Sequence, residues 1–181
     1  MKWLLILGFL LSSAAAAEEA LWKLLGKGGQ VLFIRHAETT PGVGDPQGFK
    51  LEDCGTQRNL SAAGREQAQR MGAEFKRRGT PIGEVLASPW CRCADTAALA
   101  FGNSTPWAPL SNLFGRQSEA ERQVRAMRLR IAAYRGKPNL VLVSHGSTAA
   151  ALAGQHPAMG EALVLTPSTA GFDVSGRILV P

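Results

Sequence analysis

An α/β sandwich of three layers, with a mostly parallel central sheet flanked by helices on both faces, is the fold class this sequence predicts. Two observations point to it. Short apolar, β-rich runs (residues 30–34 and 140–143) alternate with longer stretches of helical periodicity, the pattern of strands crossed over by helices. Each of those runs then ends in polar groups, Arg35-His36 and Ser144-His145. In such sheets a ligand site lies beyond the carboxyl ends of the strands.

The elements follow in order. Lys2, the apolar run Trp3–Leu11 and the small residues Ser12–Ala17 have the layout of a secretory signal peptide, with Ala15-Ala16-Ala17 as the cleavage site. The apolar core is much shorter than the roughly 20 residues a bilayer span needs, which argues against an uncleaved anchor. Residues 1–17 are therefore expected to be removed, leaving residues 18–181 as a single domain that is exported, to the periplasm or outside the cell, with no integral membrane segment. Residues 30–34 form a buried strand. Residues 40–60, rich in Gly, Pro, Asp and Asn, form a long loop, and loops of that length in small domains are usually functional. Ser61 caps a helix whose Ala62, Ala68, Met71 and Phe75 recur at helical spacing, and Gly79 stops it. A strand at residues 84–87, a helix at about 90–100 and a third helix near 119–134 come next. The strand at 140–143 precedes a short helix at 149–153. Two closing strands, 162–165 and 172–180, end the chain, the second with a joint at Ser175-Gly176.

Composition narrows the function classes. Of 181 residues, 45% are hydrophobic and 19% charged, the balance of a globular domain. The net charge of +6 falls to +5 once the leader with its single Lys is removed. The arginines are scattered through helical stretches without a nucleic-acid motif, so a phosphorylated small-molecule or lipid substrate is expected and nucleic acid is not. Cys54, Cys91 and Cys93, in an exported chain, imply one disulfide and one spare thiol. Cys54 is expected to bridge to Cys91 or to Cys93. No histidine accompanies them at ligand spacing, so no zinc or other metal is expected, and no cofactor either.

The chemistry concentrates at the strand ends. His36 and His145 each close an apolar strand, Arg35 precedes the first, and Arg92 opens the helix that follows Ser88. Two guanidiniums suit phosphate oxygens, because their fixed geometry bonds two at once. An imidazole suits phosphorus itself, as a nucleophile active near neutral pH. Core histidines with satisfied hydrogen bonds are the bland alternative, which two histidines and an adjacent arginine at strand ends together outweigh.

The stretch Arg35-His36-Ala37-Glu38-Thr39 resembles the signature of the histidine phosphatase (phosphoglycerate mutase-like) superfamily, usually Arg-His-Gly. Three further motifs stand in the family's order. Leu60-Ser61-Ala62-Ala63-Gly64-Arg65-Glu66-Gln67-Ala68 looks like its Leu-(Ser/Thr)-x-x-Gly-x-x-Gln-Ala helix start. Residues Ser88 to Ala97 resemble its Ser-x-x-x-Arg-x-x-x-Thr-Ala segment, and Val143-Ser144-His145-Gly146 its second-histidine strand end. The resemblance covers about residues 30–180. It implies that His36 is phosphorylated during turnover, that Arg35, Arg92 and His145 hold the phosphoryl oxygens, and that water cleaves the phosphohistidine without a metal. Thr39, Arg58 and Asn59 are the substrate-binding candidates at the rim, and Gln57 lies within reach.

Two departures matter. Ala37 replaces the usual Gly, tolerable where φ is negative. Asn112, in Leu110-Ser111-Asn112, stands where many members carry the Glu that protonates the leaving group, and an amide cannot supply that proton. Glu161 is the first candidate to replace it, ahead of Glu38 and Glu119. His156 reads as a loop histidine, and Trp90 and Trp107 as a wall near the site. The implied activity is hydrolysis of a phosphate monoester, with an envelope sugar or lipid phosphate as the expected substrate. The alternatives are a phosphohistidine phosphatase and a non-catalytic phosphate-binding protein that keeps the fold. Mutase activity is not expected, because the long substrate-closing insertions are absent.

Overall fold

The computed structural model describes residues 16–179. Six strands among them, β1 (Val31–Arg35), β2 (Ile82–Ala87), β3 (Thr105–Pro106), β4 (Asn139–Ser144), β5 (Glu161–Ser168) and β6 (Gly171–Leu179), form one sheet in the order β3-β2-β4-β1-β5-β6. The first four of that order are mutually parallel, and β5 and β6 are antiparallel at the far edge. The helices are α1 (residues 16–27), α2 (Ala62–Arg77), α3 (Cys91–Phe101), α4 (Ala120–Ala132) and α5 (Gly146–Ala153). The three-layer α/β expectation therefore holds. The leader expected at residues 1–17 lies outside the described residues except for Ala16 and Ala17, which belong to α1. Among the described residues no helix is long and apolar enough to cross a membrane.

Alternation of side chains across the strands divides the core in two. Leu32 and Ile34 of β1, Val141 and Val143 of β4, and Val85 and Ala87 of β2 meet Trp22, Leu25, Met71, Phe75, Cys93 and Ala97 from α1, α2 and α3. On the opposite face Val31, Phe33, Leu140, Leu142 and Leu86 meet Met127 and Ile131 of α4 and Ala149 and Leu152 of α5. Strands buried on both faces must be apolar throughout, which explains why β1 and β4 read as unbroken hydrophobic runs.

Local chemistry sets the element ends. Ser61 Oγ accepts the Gly64 N–H at 3.0 Å, the capping bond that its position predicts. Gly79, at φ +63°, takes the chain out of α2 in the left-handed region. The joint at Ser175-Gly176 is a register shift within the continuous β6, opposite Val164 and Leu165. Helix α1 was not visible as an element in the sequence. It packs through Trp22, whose ring meets Phe75 at 5.1 Å and carries the Arg78 guanidinium over its face. Asn139, fully buried, pins this layer together. Its amide donates to the Leu25 and Pro81 carbonyls and accepts from the Gln30 N–H.

The disulfide joins Cys54 to Cys91, with Cα atoms 5.7 Å apart, and Cys93 is a free, buried thiol. The bond ties the 40–60 loop to the first turn of α3. The two cysteines are 37 residues apart, and a loop of that length implies about 2–4 kcal/mol of stabilisation. The Cys54→Ser/Cys91→Ser variant should lose that amount in denaturant unfolding, while Cys93→Ala should leave the crosslink intact on a non-reducing gel.

Candidate active site

The two histidines meet because their strands do. In the parallel β1–β4 ladder Arg35 is opposite Ser144, so His36 and His145 leave adjacent strand ends, and the His36 N–H continues the ladder to the Ser144 carbonyl at 2.9 Å. Their rings stand edge to face with centroids 5.5 Å apart, and each is 2% exposed. Both border a cavity of about 400 Å³ that is also lined by Arg35, Arg58, Arg92 and Asn112. No carboxylate is among its lining side chains.

Hydrogen bonds fix the state of the rings. His36 Nδ1 lies 2.9 Å from the Ala37 carbonyl. A carbonyl can only accept, so Nδ1 carries the proton and Nε2 keeps its lone pair. Burial pushes the His36 pKa down to about 3. The Ala37 hydrogen bond opposes that shift, and the Arg92, Arg35 and Arg58 charges add to it. His145 Nε2 lies 2.8 Å from Ser88 Oγ, and burial, followed by the Arg92 charge, holds this ring well below the ordinary imidazole range.

Three guanidiniums frame the cavity. Arg92, 1% exposed along its side chain, forms a two-pronged pair with Asp45 at 2.7 and 3.2 Å. Burial alone raises the Asp45 carboxyl pKa, but the Arg92 hydrogen bond and charge, with the bonds from the Arg58 N–H and Trp90 Nε1, bring it below the usual carboxylate value. Arg35 donates to the Pro157 carbonyl at 3.0 Å, and Arg58 to the Gly42 carbonyl. The Nε–H of each of these three arginines is buried without a protein partner. Buried donors normally find acceptors, and these three belong to side chains that line one cavity.

The remaining motif residues build the site rather than line it. A Cβ at Gly64 would come within 1.8 Å of the Glu38 carbonyl oxygen, so only glycine lets α2 approach the chain leaving β1. Gln67 accepts the Glu38 N–H and donates to the Met159 carbonyl. Thr96 Oγ1 accepts the Ala37 N–H and donates to the Arg92 carbonyl, linking the chain that leaves β1 to α3. Ala37 is fully buried with a negative φ, so the replacement of glycine is accommodated without strain.

Several expectations need correction. Glu161 is not a cavity residue: its carboxylate accepts the Ala158 N–H at 2.7 Å and pairs with Arg177 at 3.1 Å, because the first residue of β5 turns toward β6. Thr39 is buried in a bridge with Leu60 and faces Met159. The Asn59 amide donates to the Cys54 carbonyl, and Gln57 accepts the Cys91 N–H and donates to the Lys50 and Leu51 carbonyls. These three shape the loop and do not line the cavity. Glu38 and Glu119 are not among the lining residues either. Trp90 packs edge-on against His145, whereas Trp107 belongs to the core on the other face of the sheet. Arg58 is the rim candidate that does reach the cavity. Asn112 is there as expected, its Oδ1 accepting from Ser147 Oγ and the Phe114 N–H.

Sequence reasoning missed Asp45, Ser147 and the cavity position of His156. The only available signal for Asp45 was its place in a loop too long to be passive. Among the described residues no cluster of three or more metal-ligating side chains occurs.

Fold and site together define an α/β protein with paired imidazoles in a cationic cavity. Residues 31–113 match the model of the histidine phosphatase superfamily (branch 1), and over that stretch the chain is similar to that superfamily. No curated protein matches it in sequence. Solved structures show the same fold. The protein histidine phosphatase SixA complexed with tungstate aligns at 18% identity over 83% of this chain and 96% of its own, with a TM-score of 0.55. Phosphoserine phosphatase from Entamoeba histolytica, in complex with 3-phosphoglyceric acid, aligns at 14% identity over 82% and 95%, with a TM-score of 0.62. The Rv3214 product of Mycobacterium tuberculosis aligns at 17% over 83% and 97%, also at 0.62.

The buried neutral imidazoles link stability to pH. In the unfolded chain His36 takes up a proton near its ordinary value of 6.5, whereas in the folded chain it does so only near 3. The stability it contributes is therefore present above about pH 6.5 and lost as pH falls toward 3. The unfolding free energy should decline over that range, and less steeply in His36→Asn. Equal slopes for the two proteins between pH 6.5 and 4.5 would contradict a buried neutral ring.

Proposed function

We propose that this chain is a phosphohydrolase that cleaves phosphate monoesters through a phosphohistidine on His36. The observation that carries the reading is the pairing of a neutral His36, its Nδ1 proton tied to Ala37, with a cavity ringed by Arg35, Arg58 and Arg92. Nε2 attacks phosphorus, the ester P–O bond breaks, and water then displaces the phosphoryl group from nitrogen. Negative charge on the oxygens is met by the three guanidiniums and His145, which are preorganised by Asp45, Ser88 and backbone carbonyls. Fixed donors of this kind act where charge develops and require no reorganisation. The same donors supply the charge that a metal would, so activity is expected to survive a chelator.

The rim supports a substrate with an apolar portion. Val43 and Phe114 border the cavity and are 88% and 61% exposed, which suits a lipid phosphate or an amphiphilic envelope sugar phosphate. Export is part of the proposal and rests on the leader-like first residues and on the disulfide, since disulfides persist in oxidising compartments. A second reading, hydrolysis of phosphohistidine, is favoured by Asn112 in place of an acid, because a phosphoramidate leaves more readily than an alkoxide.

Brief exposure to 4-nitrophenyl phosphate should give a burst of acid-labile, alkali-stable phosphoprotein, absent in His36→Ala. Label that persists in that variant would remove His36 as nucleophile. Arg92→Ala should lower kcat/KM by roughly 10²–10³, the cost of one well-aimed donor. In the mature protein, Edman sequencing should start at Glu18.

A further inference from the structure

The cavity lacks a carboxylic acid, yet an alkyl phosphate leaves as an alkoxide that must be protonated. We propose that His156 is that proton donor; the inference rests on the phosphatase reading above. His156 lines the same cavity as His36 and His145. It comes from the loop between α5 and β5, and its exposed ring has no hydrogen bond among the described residues.

The other lining side chains cannot do the work. Arginines do not release protons near neutrality. His36 is the nucleophile, and the buried His145 is engaged with Ser88. Asn112 and Ser147 do not titrate, and they bond to each other. Asp45, just behind Arg92, is held ionised by four donors and so has no proton to give. An imidazole, in contrast, can both give and take a proton at its ring nitrogens.

The loop that carries His156 is braced as a catalytic element would be. Arg177 Nη2 donates to the His156 carbonyl at 2.7 Å, and Arg35 donates to the carbonyl of Pro157 at 3.0 Å. Pro157 restricts the backbone at the next position. Glu161 closes the brace, accepting the Ala158 N–H and pairing with Arg177. Glu161 is thus a positioning residue for the donor. The charges around the ring are Arg177 and Glu161 behind the loop, Arg35 beneath it, and Arg58, Arg92, His36 and His145 across the cavity.

The step balances. As His36 Nε2 bonds to phosphorus and the P–O bond breaks, the His156 imidazolium gives its proton to the departing oxygen, yielding the alcohol and neutral His156. In the second half, neutral His156 takes a proton from the water that attacks phosphorus, the P–N bond breaks, and inorganic phosphate leaves with both histidines restored.

The test compares turnover of a good leaving group, 4-nitrophenyl phosphate, with that of an alkyl phosphate, glycerol phosphate, in the full mature chain and in His156→Gln. The variant should depress kcat for the alkyl ester 10²–10⁴-fold, the usual size of general acid help, and that for the aryl ester at least ten times less. Equal losses on both esters, or a loss confined to KM, would overturn the assignment. A parent chain that forms no phosphoenzyme would instead overturn the phosphatase reading itself, which keeps the two failures apart.

Discussion

The pairing of β1 with β4 is the constraint on which the site depends. Both strands are buried on both faces, so their register is fixed by two core layers at once. A slip of one residue would send Leu32 and Ile34 to the α4–α5 side and Val31 and Phe33 to the other, exchanging every contact in both clusters. Because the register is held, Arg35 and Ser144 are level, and the next residue of each chain is a histidine. The proximity of the imidazoles is thus a by-product of core packing, with no separate device needed to bring residues 109 positions apart together.

Around that pair the protein concentrates positive charge. Cations in a poorly solvated site are costly to keep: burial lowers the pKa of Arg35, and burial followed by the Arg92 charge lowers that of Arg58. Asp45 offsets part of it by pairing with Arg92, and backbone carbonyls take one donor each from Arg35 and Arg58. The arrangement suits an incoming dianion, which finds donors already oriented. Burial keeps both histidines neutral, and the neighbouring arginine charges add to it.

Much of this was legible in the sequence, for definite physical reasons. A strand buried on both faces has to be apolar, so β1 and β4 stood out, and the polar residues at their ends stood out with them. Arg92 and Asn112 could be placed because the segments containing them match ordered family motifs. What stayed hidden depends on contacts between distant segments. Helix α1 has a short amphipathic face that only Phe75 and Asn139 complete. Asp45 lies in a loop with no periodicity, and its role emerges only when Arg92 is brought to it. Glu161 was misplaced because proximity to β1 is no guide to direction: the strand start places the residue near the site, while Arg177 and Ala158 draw its carboxylate away.

The odd cysteine has a consequence for how faithfully the chain keeps its covalent structure. A third thiol beside a bridge ordinarily invites shuffling, in which a thiolate displaces one sulfur and the crosslink migrates. Cys93 sits two positions from Cys91, yet its burial pushes the thiol pKa up to about 12 and its side chain is wedged beneath His145. Without a thiolate there is no attacking species, so the tether between loop and helix, once closed, has no internal competitor.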